Sequence, residues 1–373
     1  MLFRSLIPTT LLTVPLCSPS SADALFTPQE LTASLASVVP VSVHQHITPS
    51  SGVSFMPLHA GHVLGACMYL IDIAGIKVVY TGDYSRTENR HLVKAEAPPV
   101  RPDVLIIEST FGVQTLEGER EKEGRFINLV HSIVKRGGHV LLPVFAVGTA
   151  QELLLVLEEY WSAHPELSDV PVYYASSLAK RCMLVYQTHI HAMNTNIRSR
   201  FARRDNPFSF KCVLFPVTRK SALISTFRHI SSLSGEHGWE RKIARGPPCV
   251  VLASPAFMQA GASRKLLELW APDPRNGVII TGFSVEGTMA RVSDVFASRV
   301  ALVHVPNDWQ DIQAEPEEIP SLGGASIPRR LTVDYIPFSA HVDYSQNAEF
   351  IESVGAEHVV SGFIQKYIFS LRH

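Results

Sequence analysis

Residues 53–85 read VSFMPLHAGHVLGACMYLIDIAGIKVVYTGDYS, and this stretch decides the fold. Its apolar and alternating runs are Val53–Leu58, Tyr69–Ile73 and Lys77–Tyr80. Runs of this length, separated by glycine-containing connections, are typical of consecutive β-strands. His62 and Asp83 stand beside glycines in two of the connections, where the backbone can approach its neighbours closely. The stretch therefore predicts a sheet with polar side chains in the loops at the ends of its strands.

Outward from this stretch, short β-branched runs alternate with segments of helical spacing. Further strands are predicted at Val104–Ile107, His139–Leu142, Val172–Tyr174, Val250–Ala253 and Val278–Thr281. Helices are predicted over Gly124–Arg136, Thr149–Ala163 and Ser176–Asn194. In Thr149–Ala163 the core should be faced by Leu153, Leu154, Val156, Leu157 and Trp161, with Glu158 and Glu159 outward. Alternation of this kind predicts an α/β fold, and 373 residues suffice for two compact domains.

The composition limits the functional classes. The net charge is −1, so the chain has no global basic field for nucleic acid, and any RNA contact must come from a local groove. One basic cluster that could guide an RNA backbone is Arg198, Arg200, Arg203 and Arg204; the alternative is a solvated face. The five cysteines lack close pairing, which argues against a disulfide framework and fits a reducing compartment.

The N-terminus resembles a short secretory signal. Met1–Ala22 contains one positive charge, then an apolar run at Leu11–Cys17 and small residues. The run is too short to cross a bilayer, so we expect no membrane segment here. The alternative is an arbitrary start inside a longer protein, which would leave the segment without a targeting role.

Four residues have the chemistry of a hydrolytic site. Imidazole and carboxylate are ligands that zinc accepts, and His62 and Asp83 offer one of each. Glu108 follows the apolar run Val104–Ile107, as expected either of the rim of an active site or of a solvent-facing cap. His341 lies between small residues and Asp343, an arrangement that suits an imidazole acting as a general acid.

Several motifs occur in one order along the chain: H-A-G-H-V-L-G at 59–65, T-G-D-Y-S at 81–85, I-E-S-T at 107–110, P-V-F-A at 143–146, A-Q-E-L at 150–153, Y-Y-A-S-S-L-A-K at 173–180, A-S-P at 253–255 and S-A-H-V-D-Y at 339–344. This set resembles the β-CASP branch of the metallo-β-lactamase superfamily. The stretch at 173–180 and Arg90-His91-Leu92 resemble most the endonucleases of messenger-RNA cleavage and polyadenylation.

The resemblance implies a fold and a set of roles. It implies a partial metallo-β-lactamase domain of αββα layers at 23–112, an inserted β-CASP domain at 113–335 and a returning metallo-β-lactamase segment at 336–373. By the same resemblance His62 and Asp83 are ligands of Zn²⁺, two ions in the family, with Asp83 bridging them. Glu108 and His341 are expected to pair, with His341 protonating the leaving oxygen.

The sequence departs from the family pattern at the metal site. The motif His-x-His-x-Asp-His is not among the 373 residues, and Phe363 stands where the last ligand histidine is expected. His44 and His46 are followed by no Asp-His, and His358 precedes the final apolar strand, so we predict that none of them is a ligand. His189 and His191 fall inside the predicted helix Ser176–Asn194, where residues two apart diverge.

One hypothesis accounts for these departures together. The sequence would start late, end early and include translated intervening sequence at Cys212–Thr226 and Val292–Gln313, two segments that break the α/β texture. The alternative for these segments is a pair of variable surface loops.

Three functions remain open at this point. The resemblance implies a zinc-dependent endoribonuclease, a metal-dependent RNA hydrolase, that cleaves pre-mRNA in the nucleus. Its partners would be the other subunits of the cleavage and polyadenylation complex, including a related non-catalytic β-CASP subunit. The alternatives are an Integrator-type endonuclease of small nuclear RNA precursors and a catalytically dead scaffold subunit. With the incomplete ligand motifs, we expect the chain as given to be inactive; the weak signal-like start keeps secretion as an alternative location.

Overall fold

A computed structural model describes residues 26–176, 178–208, 229–233, 238–282, 289–290 and 318–362. Met1–Ala22, Cys212–Thr226, Val292–Gln313 and Phe363 lie outside these described residues. The chain divides into two compact units. Unit 1 is drawn from Met1–Thr115, Arg181–Met193 and His341–His373, and unit 2 from Leu116–Lys180 and Asn194–Ala340.

The described helices are α1 (Pro28–Ala36), α2 (Glu119–Lys135), α3 (Thr149–Ala163), α4 (Ala179–Thr188), α5 (Thr195–Ala202), α6 (Trp239–Ala244), α7 (Gly261–Trp270) and α8 (Tyr344–Val354). The described strands are β1 (Ile47–Ser50), β2 (Val53–His59), β3 (Cys67–Ile73), β4 (Ile76–Tyr80), β5 (Val104–Glu108), β6 (Val140–Pro143), β7 (Val172–Ala175), β8 (Ile230–Leu233), β9 (Val250–Ala253), β10 (Gly277–Ile280), β11 (Glu318–Pro320), β12 (Ser326–Pro328), β13 (Thr332–Tyr335) and β14 (His358–Gly362). The predicted α/β class and every predicted strand are therefore confirmed.

Unit 1 contains a six-stranded sheet in the order β1-β2-β3-β4-β5-β14. The strands from β1 to β4 pair antiparallel, whereas β4, β5 and β14 run parallel. Buried residues of β2 to β5 form a core with Phe350 and Val354 of α8. Because β4 and β5 are parallel, the loops that follow Tyr80 and Glu108 leave the sheet at the same edge.

Unit 2 contains a six-stranded sheet in the order β13-β10-β6-β9-β7-β8, in which every pairing is parallel. The strands β6, β9 and β10 are buried along their whole length, as the apolar runs of parallel sheets usually are. Helix α3 buries its leucines and Trp161, while Glu159 is exposed and Glu158 partly so. The predicted inner face of this helix is confirmed.

The single long helix predicted over Ser176–Asn194 is wrong. Helix α4 ends at Thr188, and a short 3-10 turn, Ile190–Ala192, follows. The Thr188 hydroxyl donates to the Leu184 carbonyl, 2.8 Å away, a contact that weakens a helix from within. Asn194 then caps a new helix, since its side chain accepts from the Ile197 N–H. In the part of the chain that the structure describes, no helix has the length and apolar character needed to span a bilayer.

His139 of unit 2 leads to a prediction about pH. Its ring stacks on Trp270 with centroids 4.8 Å apart, and its Nδ1 lies 3.3 Å from Cys249 Sγ. Burial lowers the pKa of His139; Asp273 opposes this effect and Arg275 adds to it. Below the ordinary histidine pKa of about 6.5, the unfolded chain therefore binds a proton that the folded chain does not. As the pH is lowered through that range, the free energy of unfolding should decrease. His139 should contribute at most about 1.4 kcal/mol per pH unit to this decrease.

Urea unfolding followed by tryptophan fluorescence at pH 7 and pH 5 measures the effect. The variant His139→Phe keeps a stacked ring without a titrating group, so its stability should decline less over the same interval. Equal declines in the two proteins would contradict the assignment to His139.

Candidate metal centre

The loop that carries His62 is fixed by close contacts of its backbone. Gly61 has φ +73°, and a Cβ at this position would lie 2.8 Å from the Ser85 carbonyl oxygen and 2.9 Å from the Ala95 nitrogen. The Ser85 N–H donates to the Ala60 carbonyl at 2.9 Å, joining this loop to the one that follows β4. Only glycine fits such an approach, so Gly61 sets the position of His62.

Asp83 lies in the loop after β4. The Thr81 N–H donates to the Ile106 carbonyl at 3.0 Å, which continues the pairing with β5 beyond Tyr80. Gly82 then turns the chain with φ +54°. The Asp83 carboxylate is half exposed, and its Oδ2 lies 3.9 Å from His62 Nε2. The first two candidate ligands thus meet at one edge of the sheet.

Glu108 ends β5 and is buried, with 7% of its side chain exposed, so the alternative of a solvent-facing cap is wrong. Its Oε1 accepts from the Tyr84 N–H at 2.7 Å, and its Oε2 accepts from the Thr110 hydroxyl at 2.6 Å. Its backbone carbonyl accepts from the Asn347 side chain at 2.8 Å. These contacts hold the carboxylate in one orientation.

His341 reaches Glu108 from a distant part of the chain. A parallel bridge between Phe111 and Asp343 aligns the two segments, and Asp343 caps α8 by accepting from the Gln346 N–H. The Nδ1 of His341 lies 2.7 Å from Glu108 Oε2. Burial acts to lower the pKa of His341, but the hydrogen bond and charge of Glu108, together with Asp83, raise the pKa above its ordinary value.

His62, Asp83 and His341 form a group that could hold a metal ion. One ligand atom from each lies within 4.8 Å of the others, and the two imidazole centroids are 4.6 Å apart. Two imidazole nitrogens and a carboxylate oxygen suit divalent cations of intermediate softness. Among the described residues this is the one such group of histidine, cysteine and acidic side chains.

The other histidines considered from the sequence, as far as the structure describes the chain, lie outside this group. His44 Nε2 lies 2.7 Å from Glu96 Oε2, and His46 is exposed. His358 is exposed as the first residue of β14, rather than preceding the strand as predicted. His189 and His191 do not diverge on one helix; their ring centroids are 5.6 Å apart, since α4 has ended before them.

The arginine cluster lies on and after α5. Arg198, Arg203 and Arg204 are exposed. Arg200 is less exposed, and its Nε lies 2.7 Å from Asp205 Oδ2. This ion pair balances one of the positive charges, so the cluster presents a weaker field than its sequence suggests.

Three residues that hold Glu108 were not predicted from the sequence. The Tyr84 contribution is a backbone N–H, for which the residue type gives no signal. Thr110 stands two residues after Glu108 in the quoted I-E-S-T. The hydroxyl donor on its short side chain was the sequence signal that could have predicted this contact. Asn347 lies in α8, and its Oδ1 accepts from the Tyr84 hydroxyl at 3.0 Å. Only the folded chain brings these groups to one carboxylate.

Comparison with known proteins agrees with this geometry. Residues 13–103 match the Metallo-beta-lactamase superfamily domain and residues 150–292 match the Beta-Casp domain, together more than half of the chain. The chain belongs to the β-CASP branch of the metallo-β-lactamase superfamily. The fold class implied by the sequence motifs is thereby confirmed, and membership of a metallo-β-lactamase family implies dependence on a metal.

Relatives in fungi and animals are similar over most of this β-CASP chain. It is 53% identical to "Endoribonuclease YSH1" of Mycosarcoma maydis over 93% of the chain and 35% of the relative. It is 47% identical to "Endoribonuclease ysh1" of Schizosaccharomyces pombe, covering 91% of the chain and 39% of the relative. It is also 47% identical to "Cleavage and polyadenylation specificity factor 73" of Drosophila melanogaster, covering 91% and 44%. The chain thus spans less than half the length of these relatives.

Proposed function

We propose that this chain carries the catalytic part of a zinc-dependent endoribonuclease that cleaves pre-mRNA at its 3′ end before polyadenylation. The observation that carries the proposal is the contact between buried Glu108 and partly buried His341, beside His62 and Asp83. The names of the relatives support this reaction over cleavage of small nuclear RNA precursors. We assign the metallo-β-lactamase domain to 23–112 and 336–373 and the β-CASP domain to 113–335.

The proposed roles follow from the contacts. His62 and Asp83 would hold metal, and zinc bound there would supply Lewis-acid stabilisation of the charge that develops on the phosphate. Glu108 holds His341 through Nδ1, which leaves Nε2 for proton transfer, and the ring lies beside that of His62. The raised pKa of His341 favours a protonated ring, so Nε2 can pass a proton to the leaving ribose oxygen.

The zinc site of the proposed enzyme needs more ligands than the described residues bring together. The proposed ligands are the imidazole of His62 and the carboxylate of Asp83, and the 373 residues contain no His-x-His-x-Asp-His. A two-zinc site with so few protein ligands should bind metal weakly. We therefore propose that the chain alone does not cleave RNA at the rate of its longer relatives.

The proposed substrate is pre-mRNA, and the proposed setting is the nucleus, within a cleavage and polyadenylation complex that includes a related non-catalytic β-CASP subunit. The exposed Arg198, Arg203 and Arg204 are proposed to contact the RNA backbone, a contact that does not depend on sequence. Choice of target then falls to partner subunits. The names of the relatives do not support the alternative of secretion, and we do not adopt it.

A chimaera tests the proposal. In the Schizosaccharomyces pombe relative, the matching segment of 338 residues would be replaced by that of this chain. The chimaera should cleave an end-labelled pre-mRNA, and Asp83→Asn or His341→Ala within the grafted segment should reduce cleavage at least 100-fold, the scale of a lost general acid.

A scaffold role is the competing function, favoured by the incomplete ligand motifs. If the chain is a scaffold, the chimaera should fold and assemble with the processing complex but should not cleave the pre-mRNA. A chimaera that cleaves equally well with and without His341→Ala would also contradict the proposed proton donor.

A further inference from the structure

The His341 ring lies 4.6 Å from that of His62 between centroids, while Glu108 holds Nδ1 of His341. One ligand atom from each of His62, Asp83 and His341 lies within 4.8 Å of the others. We propose that in this chain His341 is itself a metal ligand, so that His62, Asp83 and His341 bind a single divalent cation with Glu108 as the supporting carboxylate. This inference goes beyond the proposed function, which gives His341 a role in proton transfer only. It shares His62 and Asp83 with that function but does not depend on RNA cleavage.

The separation of the ligand atoms supports a site for one ion. All three lie within 4.8 Å of one another before any ion is considered, and His62 Nε2 is 3.9 Å from Asp83 Oδ2. Bonds of about 2.0–2.1 Å to zinc bring neighbouring ligand atoms to about 3.3 Å. Contractions of about 0.6 Å for the pair of His62 and Asp83 and of up to about 1.5 Å for the widest pair are therefore enough. Asp83 can supply the first of these, because its side chain is half exposed and follows the turn at Gly82.

The contact with Glu108 fixes the tautomer and the orientation that His341 needs to bind a metal. When the Nδ1 of a histidine donates to a carboxylate, its Nε2 carries the lone pair that binds a metal. Metal-bound histidines usually have such a carboxylate or carbonyl behind them, which fixes the ring and increases its basicity. Here the carboxylate is itself fixed by Tyr84 and Thr110, so the ring needs little reorientation.

The neighbouring acid and histidines are engaged elsewhere. Glu96 lies 2.7 Å from His44 and 3.8 Å from His59, and neither histidine belongs to the group around His62. Three protein ligands would leave a coordination position of a bound ion open to water. A nitrogen bound to metal cannot also donate a proton, so this one-ion state is distinct from the state that would cleave RNA.

Metal titration of the whole chain tests the proposal. Isothermal titration with Zn²⁺, and Co²⁺ titration followed by visible absorption, should both give one ion per chain. His341→Gln should weaken binding at least tenfold, as His62→Gln does, and Glu108→Gln should weaken it about 10- to 100-fold. His358→Gln is the matched control, because His358 is exposed and outside the group, and it should bind like the unmodified chain.

Unchanged affinity in a folded His341→Gln variant would overturn the proposal, as would the absence of binding by the unmodified chain. If the variants do not fold, ¹⁵N resonances of the histidine rings in the unmodified chain decide. Zn²⁺ should shift Nε2 of His341 together with the ring of His62, and a shift confined to His62 would exclude His341 as a ligand. Neither result bears on cleavage by the chimaera, so failure of this inference is distinguishable from failure of the proposed function.

Discussion

Replacing Gly61 with alanine is expected to destabilise unit 1 by about 2–4 kcal/mol. A left-handed backbone costs an alanine about 1 kcal/mol, and overpacking adds about 1–3 kcal/mol. Here the added Cβ would meet the backbone of Ser85, Val93 and Ala95 at 2.8–2.9 Å. Backbone atoms cannot turn aside as a side chain can, so the loop with His62 must shift. Urea unfolding followed by circular dichroism measures the loss, and metal titration measures the displacement of His62.

Gly52 provides the matched control for this change. It also has a left-handed backbone, with φ +78°, but a Cβ there would meet nothing within 4 Å. Gly52→Ala should therefore cost only the backbone strain, about 1 kcal/mol, and leave metal binding unchanged. Similar losses in the two variants would show that the close approach at Gly61 does not matter.

Removal of the Glu108 carboxylate should have an effect of similar size. In Glu108→Ala the Tyr84 N–H and the His341 ring lose their buried acceptor, and breaking a buried charged pair costs about 3–5 kcal/mol. The His341 ring also loses the contact that sets its orientation. The free energy of unfolding reports the first effect, and the ¹⁵N shifts of the ring report the second.

Thr110→Val is the companion to this variant, because it removes one donor to Glu108 and keeps the carboxylate. Loss of one hydrogen bond should cost about 1 kcal/mol, and Thr110→Ser should recover most of it. The ring of His341 should keep its tautomer in both variants. A loss in Thr110→Val as large as that in Glu108→Ala would contradict the view that His341 depends mainly on the carboxylate.

The strands and the ligand loops could be predicted because their signals are local. The runs around His59–Tyr80 alternate or are continuously apolar, and the glycines between them mark turns, so neighbouring residues suffice to place the strands. The positions of Asp83 after β4 and Glu108 at the end of β5 follow from the same signals. The family motifs added the order in which these elements occur.

The parts that failed depend on contacts distant in sequence or on competing local bonds. Apolar spacing continues through Ser176–Asn194, but the Thr188 hydroxyl and the Asn194 cap divide the segment. Burial of Glu108 depends on groups from three other segments, including α8, and no local pattern reveals it. The distance between His341 and His62 likewise depends on the whole of unit 1.

The parallel bridge between Phe111 and Asp343 has a consequence for the order of folding. The contact of Glu108 with His341 joins residues 233 positions apart, and closing a flexible loop of that length costs about 5 kcal/mol. Folding of unit 2 around its own core would shorten the loop that remains to be closed. During synthesis, Glu108 can contact His341 only after the segment around Asp343 has left the ribosome. We therefore expect the metal-binding edge of the sheet to form late, after the core of unit 2.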